Sequence, residues 1–529
     1  MTTYEPSTAL EGLMMRTPLL VRSIAERAGK LFAEREIVSV TANGIERSTW
    51  AETVERARRL ASALHELGVR PGDRVGTFGW NSRRHLELYL AVPSMGAVLH
   101  TLNIRLFDED LRYIVAHGED RVIFLDASLA ERMPRFEGVE HEVLMPDADA
   151  ARADALDYEA LIDSGDPGFA YPDLDENCAA AMCFTSGTTG LPKGVVYSQR
   201  STVLHALFAN QADALGLRER DTVLPIVPMF HANAWGMPYA AALAGSKLVL
   251  PGPRMEPSAL AELIAEEQVT FAGAVPTIWQ GIAQLDPPPD LSSLERLLCG
   301  GSAVPESLIR LYDERFGVPI VQAWGMTETS PVASMSRVPP GEHSTDEAYA
   351  IRAMAGRVLP FVEFRLDEEA GGELQVRGPT IARSYYRDDT GAEKFTEDGW
   401  LRTGDVAEIA GGAFIKLVDR TKDLVKSGGE WISSVALENE IMAHSDVLEA
   451  AVVAVADERW GERPCACVVR RPGSELDGDG LREFLSGRVA KWWLPDHVEF
   501  IVEVPKTSVG KFNKKVLRSQ LADGTVERA

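Results

Sequence analysis

Apolar positions over the first 330 residues alternate between two periods. Leu60, Ala61, Leu64 and Leu67 recur at helical spacing between charged neighbours. Gly68 closes that segment, Pro71-Gly72-Asp73 turns, and residues 74–78 read as a strand. The same change from helical stretch to short apolar strand returns at residues 121–126 (RVIFLD), 247–250 (KLVL), 270–275 (TFAGAV) and 297–300. Strands separated by helices predict βαβ units and largely parallel sheets. From about residue 356 the segments shorten to VEFRL, GELQVRG and GAFIKLVDR with close turns, which predicts a small antiparallel sheet or barrel. A last unit follows Asp419, with a strand at 449–456, a helix at 480–489 and a basic helix at 514–521. The expected fold class is α/β: a large N-terminal domain of βαβ-built sheets plus a small β-barrel, and a small α+β C-terminal domain, divided near residue 420.

Composition narrows the partners. The 529 residues carry 54 Lys and Arg against 79 Asp and Glu, a formal net charge of −25. That sign argues against nucleic acid or an anionic membrane surface, although a local cluster of cations can still hold an anionic ligand. No uninterrupted apolar run of spanning length occurs, so no stable membrane insertion is expected. The five cysteines are odd in number and form no C-x-x-C pair, and the N-terminal stretch lacks a basic flank leading into an apolar run. Reduced thiols and a cytoplasmic setting are the expectation. Cys465 and Cys467 should share one face of a strand as small apolar filler.

The densest chemistry lies in Thr185-Ser-Gly-Thr-Thr-Gly-Leu-Pro-Lys-Gly194, directly after the apolar run AAAMCF. Glycines turn backbone N–H groups toward an anion, hydroxyls donate further bonds, and Lys193 adds a point charge, a composition suited to a polyphosphate. The spacing is not that of a Walker loop.

This segment resembles the signature loop of the adenylate-forming enzymes, the group of acyl-CoA synthetases, firefly luciferase and peptide-synthetase adenylation domains. The resemblance continues in order through YSQRS (197–201), PMFHANAW (228–235), GGSA (300–303), AWGMTE (323–328), RTGD (402–405), DRTKDLVKSGGEWIS (419–433) and PKTSVGKFNKK (505–515). Within the group the chain is most similar to bacterial medium- and long-chain fatty-acyl-CoA synthetases and methylmercaptopropionate-CoA ligases. The resemblance implies that a carboxylic acid and ATP, with Mg2+, give an acyl-adenylate and pyrophosphate. CoA then takes the acyl group and AMP leaves.

Site residues carry over motif by motif. The resemblance assigns Lys511 as the catalytic lysine of the C-terminal domain, and Glu328 with Thr185 as the oxygen ligands of magnesium. Thr185, Ser186, Gly187, Thr188, Thr189, Gly190 and Lys193 would hold the phosphates. Gly301, Ser302, Ala303, Trp324, Gly325, Met326 and Thr327 would line the adenine and α-phosphate site, with Asp405 and Arg420 at the ribose. His231 would lie near the substrate carboxylate. Trp235 resembles a gate to the acyl tunnel, walled further by Gly273 and Val275. The resemblance also divides the chain into an adenylation domain (1–418), a hinge (419–422) and a mobile lid (423–529). After rotation the lid would present Lys426, Gly428, Gly429, Glu430 and Trp431 to shape a pantetheine channel. A homodimer is implied as well.

The small or apolar residues expected around the acid offer no partner for a second charge, so a medium- to long-chain fatty acid is the expected substrate. A short acid or methylmercaptopropionate is the alternative, as is an enzyme loading a carrier protein. Gln199 stands where relatives carry His and is expected to alter contacts near the phosphate loop. Trp492-Trp493 doubles a usual single Trp without a functional account.

Overall fold

The computed structural model describes residues 12–185, 191–428, 430–507 and 511–529. Among these the strands form four sheets around α-helical layers. The long helix Trp50–Glu66 begins at a capping box: the Glu52 N–H donates to Thr49 Oγ1 at 3.3 Å and the Thr49 N–H donates to Glu52 Oε2 at 2.9 Å. Its buried stripe of Trp50, Ala57, Leu60, Ala61 and Leu64 drives it onto the core, and Gly68 takes φ +89° just past its end.

A seven-stranded sheet runs in spatial order 156–157, 141–145, 120–126, 74–78, 98–101, 179–184 and 194–198, parallel except at the last pair. A nine-stranded sheet is parallel from Ile320–Gly325 through Arg296–Gly300, Phe271–Ala274, Thr222–Pro225 and Lys247–Leu250 to Glu36–Thr41, with antiparallel strands at both edges. The small barrel expected after residue 356 is an open four-stranded antiparallel sheet in the order 363–367, 373–377, 401–410 and 414–420. The strand at 401–410, whose alternation is broken by Thr403-Gly404-Asp405, was missing from the sequence expectation. The C-terminal unit is a five-stranded sheet built on the long hairpin Val447–Asp457 and Gly461–Arg470, covered by the helices Ser434–Met442, Gly478–Leu485 and Lys514–Ala522. Cys465 and Cys467 are buried there, and all five cysteines are free thiols.

The two large sheets bring their strand ends together, and Asn81 joins them. Its side chain is buried just past strand 74–78; Nδ2 donates to the carbonyls of Pro225 (2.8 Å) and Val227 (2.9 Å), while Oδ1 accepts from the Met229 N–H at 2.6 Å. Both donors and one acceptor position of a single amide thus fix the entry to residues 229–231. No helix among the described residues is long and apolar enough to cross a membrane.

Asn81→Ala should lower the unfolding free energy by about 3 kcal/mol, because it leaves two carbonyls and one N–H buried without partners. Urea unfolding of the variant measures this; an unchanged midpoint would mean that water satisfies the three groups.

Candidate active site

Lys511 reaches the N-terminal unit from a loop pinned at its base. The Thr507 N–H donates to the Lys511 carbonyl at 2.6 Å, the Lys511 N–H to Thr507 Oγ1 at 3.2 Å, and the Asn513 N–H to the Pro505 carbonyl at 2.7 Å. Asn513 also caps the helix Lys514–Ala522. From there the half-buried Lys511 side chain lies over Gly301, which has φ +83°. A Cβ on Gly301 would stand 3.0 Å from Lys511 Cε, 3.4 Å from Val275 Cγ1 and 3.5 Å from Trp235 Cζ2. Glycine is required here twice over, for the left-handed backbone and for the close approach of the cation.

Two buried carboxylates face this cation. Asp405 lies opposite Arg420 across the strand pair 401–410 and 414–420; its Oδ1 is 3.2 Å from Arg420 Nε, and its Oδ2 accepts from the Trp324 indole at 2.8 Å. Glu328 accepts at Oε1 from the Tyr385 hydroxyl at 2.5 Å. Burial pushes the Lys511 ammonium down to about 8, the Arg420 charge adds to the fall, and Asp405 and Glu328 oppose it. His231 is pushed down to about 3 by burial and then by Lys511, so it stands there as a neutral ring. Arg420 is held above its ordinary value, chiefly by Asp405.

The phosphate loop is closed at its neck. The Thr185 N–H donates to the Lys193 carbonyl (2.9 Å) and the Lys193 N–H to Thr185 Oγ1 (3.1 Å). Ser186, Gly187, Thr188, Thr189 and Gly190, on which five of the phosphate contacts were placed, lie outside the described residues. Lys193 Nζ pairs with Asp388 at 3.1 Å and sits 5.1 Å from the Tyr385 ring centre. The Tyr197 hydroxyl donates to the Thr327 carbonyl at 2.7 Å, linking this loop's strand to Glu328. Gly301, Ala303, Gly325 and Met326 are half-buried, Ser302 is exposed, and Trp324 and Thr327 are buried.

The segment after Phe230 holds a conformation that sequence did not announce. Ala232, Asn233, Ala234, Trp235 and Gly236 form a left-handed turn with φ of 43°, 53°, 49°, 56° and 75°. Each non-glycine residue in it costs about 1–2 kcal/mol of backbone strain. The turn is held from several sides: the Tyr89 hydroxyl donates to the Met229 carbonyl and stands 3.3 Å from Asn233 Oδ1, and Cys183 Sγ is 3.5 Å from the same oxygen. His205 Nε2 accepts from the Val332 N–H at 3.2 Å while its ring lies beneath Gly236. The result is a buried Trp235 whose ring closes on Val275 and Gly301 beside the half-buried His231.

The structure therefore gathers Lys511, Gly301, Trp235 and Val275 at one point and couples Arg420, Asp405, Trp324 and Glu328 to it. Lys426, Gly428, Glu430 and Trp431 sit on a hairpin of the C-terminal unit, Val425–Ser427 with Glu430–Ile432; Gly429 lies outside the described residues. That hairpin's contacts are with its own unit. The Lys426 ammonium lies 5.3 Å from the Trp431 ring centre, the Lys426 N–H donates to Glu462 Oε2, and Arg463 joins Ser427 Oγ to the Trp492 carbonyl. Gln199, expected to alter contacts near the phosphate loop, makes its described hydrogen bonds elsewhere. It is buried facing the other way, its Oε1 accepting from the Val21 N–H (2.9 Å) and its Nε2 donating to the Pro93 carbonyl (2.8 Å). Tyr385 and Asp388 were not anticipated, since a single tyrosine or acid outside a motif carries no local signal, and Tyr197 and Asn233, although inside motifs, were assigned no role.

Glycines, buried carboxylates, an apolar wall and one cation delivered by the C-terminal unit thus meet in one place. The model of the AMP-binding enzyme family matches residues 25–386, and that of the AMP-binding enzyme C-terminal domain matches residues 436–511. A medium-chain-fatty-acid–CoA ligase of Ectopseudomonas oleovorans is 43% identical over 97% of this chain and 98% of that protein. A 3-methylmercaptopropionyl-CoA ligase of Ruegeria pomeroyi is 44% identical over 97% and 99%. The crystal structure of an anthranilate CoA ligase in complex with anthranoyl-AMP superposes with a TM-score of 0.85 over 96% of this chain and 99% of that one; at 24% identity the likeness is one of fold. The chain belongs to the AMP-binding enzyme family, and it is an acid–CoA ligase of that family. ATP and CoA as substrates fit that membership.

Tyr385→Phe removes the hydroxyl that donates to the buried Glu328 carboxylate and should cost about 1.5–3 kcal/mol of stability. Chemical denaturation checks it, and an unaltered stability would mean that Glu328 finds another donor.

Proposed function

We propose that the protein activates a medium- to long-chain fatty acid with ATP and passes the acyl group to CoA, releasing pyrophosphate and AMP. The observation that carries this reading is the seat of Lys511 over Gly301, between an apolar wall (Trp235, Val275) and the carboxylates Asp405 and Glu328. An acid and a triphosphate are both anions, and bringing them together requires a cation at their meeting point. Lys511 is that cation. Trp324, Asp405 and Arg420 take the nucleoside, with Asp405 accepting from ribose hydroxyls. Neutral His231 stands by the acid's carboxylate without adding charge.

Mg2+ fits the donor set: Glu328 has an oxygen beyond the one that accepts from Tyr385, Thr185 offers a hydroxyl, and nucleotide phosphates would complete the shell. The reading divides the chain at a hinge, residues 419–422, between an adenylation domain (1–418) and a lid (423–529). The lid carries Lys511 on one face and the exposed Lys426, Glu430 and Trp431 on another, so rotation exchanges one for the other between half-reactions. A cytoplasmic homodimer, with no nucleic acid as partner, completes the proposal. The buried Trp235 ring favours a second reading, a short acid such as methylmercaptopropionate, if the wall does not open.

CoA-dependent AMP release across acids from propionate to palmitate, with methylmercaptopropionate included, tests the substrate. A maximum at eight carbons or beyond is expected; a maximum at short or sulfur-containing acids would overturn the fatty-acid reading.

Lys511→Ala should abolish adenylation of the free acid and leave thioester formation from supplied acyl-adenylate largely intact. Equal loss in both half-reactions would count against a two-faced lid.

The pH profile carries a sign. The Lys511 ammonium is the form present below about 8 and is lost above it, so kcat/KM for adenylation should fall as pH rises through about 8. Lys511→Arg, which stays charged, should remove that limb. A limb that persists in the arginine variant belongs to another group.

A further inference from the structure

The left-handed turn places two apolar side chains in line along one face of the strand Phe271–Ala274. Phe271, Gly273 and Val275 alternate toward the core that holds Trp235 and Met237, while Ala272 and Ala274 face the opposite core. At the outer position stand Val275 and Trp235, beside Lys511. At the inner position, two residues and about 7 Å further in, stands Gly273. A Cβ there would lie 2.8 Å from Met237 Sδ, 2.9 Å from Met237 Cε and 3.6 Å from Leu298 Cβ. Gly273 therefore leaves a slot in the sheet surface, and the fully buried Met237 fills it.

We propose that Met237, seated on Gly273, is the stop that fixes how long an acyl chain this protein accepts. The proposal rests on the acyl-activating reading of the site. A chain whose carboxylate meets Lys511 passes between Trp235 and Val275 and next encounters the Met237 thioether. The backbone at this point has little freedom. The turn before it is tied by Tyr89, Asn233 and Cys183, the His205 ring lies under Gly236, and Met237 opens the helix Met237–Ala244. The side chain is unbranched, and its thioether end lies where a Gly273 Cβ would stand, so its reach sets how far the slot is filled. Its neighbours Gly273, Leu298 and Trp235 are uncharged, so each methylene that replaces it is welcomed by apolar surface. Depth at this site is thus set by the length of one flexible side chain and by the absence of another at Gly273.

The test is kcat/KM for CoA-dependent AMP release over straight-chain acids from propionate to palmitate, for the wild type, Met237→Ala, Met237→Leu and Gly273→Ala. Met237→Ala should move the optimum up by about two carbons or more, with the preference for the longer acid rising about fourfold per methylene accommodated. Gly273→Ala, which drives a methyl against Met237, should move it down, and Met237→Leu should hold it near the wild-type position. KM for ATP should stay the same in all three. If Met237→Ala does not fold, the opposed behaviour of Gly273→Ala and Met237→Leu still decides. An active wild type whose optimum none of the variants moves, or variants that lose the same factor for every acid, would overturn the role of Met237 alone. A wild type that releases no AMP with any acid would overturn the acyl-activating reading, and the stop with it.

Discussion

Asp405, on the four-stranded sheet, and Glu328, just past a strand of the nine-stranded sheet, are buried carboxylates that both act on Lys511, and a buried charge persists only if it is paired and hydrogen-bonded. Part of the compensation is local. Arg420 sits across the strand pair from Asp405, Trp324 donates to its other oxygen, and Tyr385 donates to Glu328. The remaining cation, Lys511, arrives from the other end of the chain. The position of the C-terminal unit in this structure is therefore bound up with the electrostatics of the site: where the unit sits, Lys511 meets the carboxylates, and where it does not, they must find charge elsewhere.

The acid side of the site depends on strain that is paid down by hydrogen bonds. Four consecutive non-glycine residues in the left-handed region would not persist as an isolated turn. They persist because Asn81 fixes Met229, Tyr89 fixes Met229 and Asn233, and the small Gly236 lets His205 pack beneath the chain. The groups that impose this conformation come from the end of the strand 74–78 and from the helices Arg83–Ser94 and Gln199–Ala209. Trp235 and Met237 are thereby aimed at Val275 and Gly273 with a precision that an ordinary loop would lack.

Much of the candidate site was legible in sequence because its residues sit in dense, ordered motifs: RTGD carries Asp405, AWGMTE carries Glu328, and the Gly510-Lys511 pair precedes a basic stretch. What escaped notice were residues outside the motifs that work by holding another. Tyr385 and Asp388 lie far along the chain from the groups they meet, Glu328 and Lys193, and nothing in their neighbours marks them. Gln199 shows the opposite failure. Its place beside a motif suggested a role at the phosphate loop, whereas helix geometry turns it into the core toward Val21 and Pro93.

By itself the sequence determined the alternation of helix and strand, the change to short antiparallel strands near residue 356, and a donor-rich segment of a composition suited to a polyphosphate. These are properties of neighbouring residues, whose periodicity and composition act over a few positions. Tertiary structure decided the rest. It left the small sheet open, bent residues 232–236 into a left-handed turn, paired Lys193 with Asp388, and set Lys511 against a glycine 210 positions away in the chain. Each of these depends on groups distant in sequence that meet only when the sheets pack, and no local pattern records such meetings.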